Sequence, residues 1–476
     1  MKKWIPGISL SACTLLSGCL MTPVLKAPQI APDTAWHSSL PEQAAAASLT
    51  NWWEAQQDPL LMQLLKSGLQ LSPDLAAARS RQENAQSTWV AAGALFLPTV
   101  DASLSASRGR SQAGTPVAQM RQAGLQTSWE LDFFGANQAA RRYAVSQKTS
   151  ADAAMRATYL SVSADIAQRY YEARYCTEAA QLLATEAAAW QSSRSITERM
   201  QQAGAVSAVM SAAMQASAAD GQRRASQQNA ACALQEQALS ALTGMPVPEL
   251  HQALQQAGKL SDLRAFSVQE IPASVLARRP DIVIAEQDFS GSIAQADAAR
   301  AQRLPRISLS GNIARQQILT GNERISGSVF SVGPVQISVP VFNGGQRDAQ
   351  VKAADARVDE ARIAYAARIR QALSEVNQAL IQLNSSLDTL QQLQVRQQAA
   401  SLTMQSTLDR QRQGMASQLE IEEARRQLAL SQLEQIQARL ERNRAWLGLY
   451  RAIGGGISDP SGDSQHRSEQ RSSQTS

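Results

Sequence analysis

The amino-acid sequence predicts a mixed α and β membrane protein made of two tandem copies of one unit, each a two-stranded hairpin followed by a pair of very long helices. Three observations carry this reading. Four landmarks recur in the same order: Pro73-Asp74-Leu75 returns as Pro280-Asp281-Ile282, Leu97-Pro98-Thr99-Val100 as Leu304-Pro305-Arg306-Ile307, Gly204-Ala205-Val206-Ser207 as Gly414-Met415-Ala416-Ser417, and Leu242-Thr243-Gly244 as Ala452-Ile453-Gly454. The first two are separated by 207 residues and the last two by 210, which marks a duplication with one three-residue adjustment. Each copy also has runs of period-two alternation opened by a proline. Finally, two proline-free spans, residues 117–245 and 341–459, keep helical spacing.

The N-terminus reads as a secretory leader over residues 1–18: Lys2 and Lys3, an apolar run from Trp4 to Leu16, then Leu16-Ser17-Gly18-Cys19. It is too short to span a bilayer. The ending resembles a bacterial lipobox, in which the chain is cut before the cysteine and the Cys19 thiol carries diacylglycerol. Ordinary leader cleavage is the alternative. Leu20, where retention in the inner membrane uses Asp, favours the outer membrane. Residues 19–50, with Pro23, Pro28, Pro32 and Pro41, read as an extended tether behind the anchor.

The first copy spans 51–244, with a helix from Asp74 to Ala94, a hairpin at about 98–132 and a helix pair at about 137–243. In its strands Val100, Ala102, Leu104 and Ala106 alternate with polar residues, as do Leu125, Thr127, Trp129 and Leu131. An inter-repeat segment, 245–270, leads to the second copy at 271–455. There a helix from Asp281 to Arg303 precedes a hairpin at about 305–341 and a helix pair at about 346–450. Ile307, Leu309 and Ile313, and then Val335, Ile337 and Val339, supply its apolar stripe. Leu373, Val376, Leu380, Leu383, Leu387 and Leu390 keep three-and-four spacing. Gly204 and Gly414 are the expected turns of the helix pairs, and residues 456–476 read as a disordered tail.

Composition narrows the function classes. Charged residues make up 18% and aromatics 5% of 476 residues, thin material for several ordinary globular cores. The net charge of +5 is dispersed along helices among Asp and Glu, the pattern of a solvated face, so no nucleic-acid partner is expected. The three histidines, His37, His251 and His466, are far apart, and no phosphate loop, nucleophile elbow or paired-cysteine metal spacing occurs. The chain is therefore expected to be no enzyme, with neither metal nor cofactor beyond a lipid on Cys19.

Strands with one apolar and one polar face suit an outer-membrane barrel, yet the smallest such barrels have eight strands and this chain has four. Open sheet edges are not tolerated in lipid, so several chains must share one barrel, and three would give twelve strands.

Asn51-Trp52-Trp53 with Asp58-Pro59-Leu60, Leu276-Ala277-Arg278-Arg279-Pro280-Asp281-Ile282, Leu304-Pro305, and Pro340-Val341-Phe342-Asn343-Gly344-Gly345 resemble signature segments of the TolC-like outer-membrane efflux proteins. The lipobox points to their NodT-type lipoprotein branch, associated with tripartite pumps of the resistance-nodulation-division class. The resemblance covers roughly residues 48–455. It implies a homotrimer with a twelve-stranded barrel, four strands per chain, continuous with a twelve-helix periplasmic barrel. The expected role is the exit duct of an efflux pump, lipid-anchored in the outer membrane, extending into the periplasm, and partnered by a periplasmic adaptor and an inner-membrane pump. A periplasmic adaptor lipoprotein with coiled-coil hairpins is the alternative reading.

In that family a leucine and an acidic residue near the periplasmic turn form constricting rings. Spacing from Gly414 carries these roles to Leu419 and Glu423, with Glu420 a further gate candidate beside Glu422. Three symmetry-related carboxylates would be costly to keep ionised and would favour cations. The alternative is that these acids pair with Arg425 and Arg426 on a wet helix face. The first copy has no acid between Gly204 and Ala219. Cys176 and Cys232 are equidistant from Gly204, so an antiparallel pair hinged there sets them level, and a disulfide between them is expected in an oxidising compartment. Two separate small apolar residues are the alternative.

Overall fold

The computed structural model describes residues 49–110, 112–266 and 277–456. The leader, Cys19, nearly all of the tether, residues 267–276 with Leu276, and the tail beyond Gly456 lie outside the described residues. In chain order the elements are α1 (Trp52–Ala55), α2 (Pro59–Leu71), α3 (Pro73–Ala94), β1 (Thr99–Gly109), β2 (Ala118–Leu131), α4 (Ala136–Gln202), α5 (Ala208–Thr243), α6 (Val247–Gln256), α7 (Pro280–Ala301), β3 (Arg306–Thr320), β4 (Glu323–Ser338), α8 (Gln346–Arg412) and α9 (Gln418–Ala452). Corresponding helices in the two halves have nearly equal lengths: 22 residues in α3 and α7, 67 in α4 and α8, 36 in α5 and 35 in α9. At 1.5 Å per residue the longest are on the order of 100 Å.

Local chemistry sets the helix starts. The Asp58 carboxylate accepts from Leu61 N at 3.1 Å to cap α2, and the Ser72 hydroxyl accepts from Leu75 N at 3.3 Å to cap α3. Prolines at the first position of α2, α3 and α7 sacrifice no hydrogen bond, because an N–H there would have no partner in the helix.

The strands form one antiparallel sheet in the order β1-β2-β3-β4. Its middle pairing, from Ala118↔Thr320 to Leu131↔Ile307, joins the hairpin of one half to that of the other. Directly paired residues share a face, and the register aligns all four apolar stripes on one side. One row runs Val100, Thr127, Gly311, Val332, and the next Ala102, Leu125, Ile313, Phe330. A bulge beside Leu309 and Gly311 lets β4 stay in phase, so that Val335 and Ile337 remain on the same side. Leu104, Phe330 and Val332 on this face are 76–92% exposed. The reverse carries Asp101, Gln126, Asn312 and Ser331 in a single row.

The principal core lies where the N-terminal helices and the segment after α6 meet the middle of α4 and the end of α9. Trp52 is fully buried there; its indole N–H donates to Arg264 O at 2.7 Å, and its ring packs on Tyr450 (4.6 Å) and edge-to-face on Phe266 (5.1 Å). Tyr170 on α4 donates to the cap residue Asp58 at 2.6 Å, and Arg174 reaches Asp58 and the carbonyls of Ala257, Gly258 and Lys259. Burial raises the Tyr170 phenol well above its ordinary pKa, so it remains a donor. Buried Asn443 clamps the same segment, accepting from Leu263 N at 2.9 Å and donating to Ser261 O at 3.0 Å.

Arg279 is 4% exposed and forms ion pairs with Asp281 at 2.8 Å and with Glu375 on α8, while also donating to Ala452 O at the end of α9. This arginine locks the start of α7 to the second helix pair. Arg279→Ala would remove the buried partner of Asp281 and Glu375, which keep Arg368 as a second, more exposed one, and would orphan the Ala452 carbonyl; it is expected to destabilise the protein by about 1–3 kcal/mol. Arg279→Lys should recover little, because lysine lacks the planar fork. Denaturant unfolding of the purified protein measures both; a wild-type midpoint for Arg279→Ala would contradict the clamp.

Candidate functional site

The two helix turns lie at the ends of the helix pairs farthest from the sheet, and both are closed by glycine. Gly204 (φ +73°) and Gly414 (φ +76°) occupy the left-handed region, where a side chain is penalised. Each is followed by a backbone bond back across the turn, Ala205 N to Met200 O and Met415 N to Arg410 O, both 2.8 Å. Ser207 and Ser417 then cap the returning helices.

The turns differ from there on. In the second, the Glu420 carboxylate accepts from Ser417 N at 2.6 Å while the Ser417 hydroxyl accepts from Glu420 N at 3.2 Å, a reciprocal capping box. In the first, Met210 stands at the same offset from Ser207 and no reciprocal bond forms. Glu420 thus has a role within its own chain that the sequence expectation of a gate did not foresee. The Ser417 backbone N–H, with the Ser417 hydroxyl and Arg410 adding to it, holds its carboxylate below the ordinary glutamate value. A lowered folded-state pKa means that the stabilisation is present above the unfolded value of about 4.3 and is lost as pH falls through the folded one.

The neighbouring acids divide between inside and outside. Glu422 is 1% exposed and accepts from Ser192 on α4 (3.0 Å), Gln418 (2.8 Å) and Arg425 (2.9 Å). Glu423 is exposed and pairs with Arg426, and Leu419 is half-buried. The Gln427 amide first, and then the Arg426 guanidinium, hold the Glu423 carboxyl below its ordinary value. Within one chain Glu422 and Glu423 therefore engage Arg425 and Arg426 at i,i+3 spacing, and Glu420 and Glu423 are the exposed carboxylates near Leu419.

Sequence reasoning missed the residues that hold this end together. Arg426 is buried with its guanidinium 3.9 Å from the centre of the Trp190 ring, and it donates to Ser193 Oγ at 2.7 Å. The Trp190 indole donates to buried Glu186 at 3.2 Å, and Arg224 on α5 donates to the same carboxylate oxygen at 2.7 Å. A signal did exist in Gly221, a glycine inside a helix, where an added Cβ would stand 3.0 Å from the Trp190 ring. Farther from the turn, Cys176 and Cys232 are joined by a disulfide with a Cα separation of 5.4 Å, linking α4 to α5. Among the described residues no cluster of three or more metal-ligating side chains occurs, and no helix is long and apolar enough to cross a membrane.

Comparison with known proteins gives a consistent outcome. The sequence pattern of the family described as outer membrane efflux protein matches residues 64–245 and 271–455. The pyoverdine export outer membrane protein OpmQ of Pseudomonas aeruginosa is 28% identical over 470 residues, spanning 94% of this chain and 96% of the relative. Nodulation protein T of Rhizobium leguminosarum bv. trifolii is 25% identical, with 93% and 95% covered. The solved structure of the outer-membrane channel OprN superposes with a TM-score of 0.74 at 26% identity, covering 89% of this chain and 97% of that one.

Two outcomes are expected of the helix pairs. If Leu419 and Glu423 constrict the channel as the family resemblance implies, replacing both with Ala should raise single-channel conductance in a planar bilayer; unchanged conductance would overturn that assignment. Replacing Cys176 and Cys232 with Ser should lower stability by about 2–4 kcal/mol, since the bond closes a loop with a sequence separation of 56 residues. Thermal melting with and without reductant measures this, and identical curves would show that the bond is absent or inert.

Proposed function

Because the chain belongs to the outer membrane efflux protein family, we propose that it works as a homotrimeric exit duct, carrying cargo from a periplasmic adaptor and an inner-membrane pump to the exterior. The observation that carries the trimer is the sheet: four strands, an exposed apolar face and two open edges. Such edges must pair with other strands in lipid, and three copies supply the twelve strands of a closed barrel. Three copies likewise supply twelve long helices for a periplasmic tube. The nearly equal helix lengths in the two halves support the reading of two tandem copies.

The adaptor alternative is set aside, because the family match takes in both halves and the relatives are outer-membrane proteins of efflux systems. Exposed apolar residues at the turns, Val209, Met210 and Met415, suit an end that docks onto another protein. Lipid attachment at Cys19 rests on the lipobox alone. The relatives' names range from pyoverdine export to solvent efflux, and the cargo of this chain is to be sought among small molecules.

Fractionation tests the proposal: the protein is expected in outer membranes as an SDS-resistant trimer that dissociates on heating. Recovery as a monomer with the inner membrane would overturn it. A Cys19→Ala variant is expected to lose labelling by radioactive palmitate.

A further inference from the structure

The face of the sheet that carries the apolar rows changes character toward the hairpin turns. Arg315 stands beside Ala123, Arg121 beside Ala106 and Gln317, Arg108 beside Gln119, and Arg324 beside Leu319. All four share the apolar face, and all four are exposed. The charges of the strands are sorted by side: Asp101, Glu130 and Glu323, with the remaining strand arginine Arg306, fall on the reverse. The apolar face thus has four guanidiniums and no carboxylate. Among the described residues, no ion pair engages any of the four. Gln317, with its amide oxygen turned toward β4, accepts from Arg324 Nε at 2.6 Å, which orients that guanidinium without neutralising it.

We propose that these four arginines form a cationic belt that binds the phosphate groups of anionic lipid headgroups in the outer leaflet. The proposal rests on the barrel reading, which turns this face to the membrane. Arg315 shares a row with Leu104, an apolar side chain 86% exposed, so the belt starts where the apolar rows end. Rows lie roughly 6.8 Å apart along a strand, and the belt covers three of them, on the order of 10 Å of height after strand tilt. That is the layer occupied by headgroups rather than by hydrocarbon. Arg121 is the diagonal neighbour of both Arg108 and Arg315, close enough for two guanidiniums to grip one phosphate. Like charges so placed repel one another unless an anion lies between them. In a trimer the belt repeats three times around the rim.

The test uses the full-length trimer and a variant with Arg108, Arg121, Arg315 and Arg324 all changed to Gln. Both are inserted into phosphatidylcholine vesicles, then titrated with bis-phosphorylated lipid A, with its dephosphorylated form, or with inorganic phosphate. Lipid retained on the trimer is read by native mass spectrometry. Both proteins are expected to insert and conduct, while the variant binds phosphorylated lipid A on the order of 10- to 100-fold more weakly. Arg→Lys changes at the four positions should restore part of the binding, which separates charge from folding. Equal retention by wild type and the Gln variant, or retention of the dephosphorylated lipid as strong as of the phosphorylated one, would overturn the belt alone. Competition by millimolar inorganic phosphate with no preference for lipid would assign the arginines to a soluble anion and overturn the lipid assignment. Failure of the wild type to insert would overturn the barrel reading, and the belt with it.

Discussion

The peptide group's need for a hydrogen-bond partner governs this molecule. In hydrocarbon no water can pair the outer N–H and C=O groups of β1 and β4, and each orphaned group costs several kcal/mol. A sheet of four strands with an exposed apolar face cannot meet that requirement alone. In the proposed trimer, sharing a barrel among copies meets it, and the consequence reaches beyond the membrane: three sheets closed into one barrel would set the three sets of long helices around the same axis.

Below the sheet, α4 is the common support. It is bonded covalently to α5 through Cys176 and Cys232, and by charge through Glu186 and Arg224. Toward α9 it holds a series of polar contacts: Asp165 with Arg451, Glu172 with Arg444, Ser192 with Glu422, and Ser193 and Trp190 with Arg426. The two attachments differ in kind. One pair is fixed by a bond that persists in an oxidising compartment, whereas the other is held by groups that can exchange partners.

Much of the architecture was legible in the sequence because it rests on periodicity and punctuation. Prolines at 73, 98, 280 and 305 and glycines at 204 and 414 mark boundaries through backbone sterics, which need no tertiary context. The alternation of Val100 to Ala106 and of Ile307 to Ile313 foretold a one-sided sheet, since side chains of a strand must alternate. What stayed hidden depends on which helices become neighbours. The partnership of Trp190 with Arg426 spans more than 230 positions, and no local rule connects them. Glu420 lies between the two cases: the Ser-x-x-Glu spacing from Ser417 is a capping signature, but the resemblance to a family of channels drew attention to a gate instead. The sorting of arginines onto the apolar face was equally invisible until register was known, because Arg108 and Arg121 look like ordinary soluble charges in isolation.

The central pairing of β2 with β3 has a kinetic consequence. Ala118 and Thr320 meet across more than 200 residues, so the sheet cannot be assembled while only the first half of the chain has been delivered. Local contacts form the helix pairs quickly, but the joint between hairpins must wait for a large loop to close. A chain exported only through its first half therefore presents at most a two-stranded ribbon, too little to commit to a bilayer. Insertion of the sheet becomes a late event, open only to chains delivered past β4.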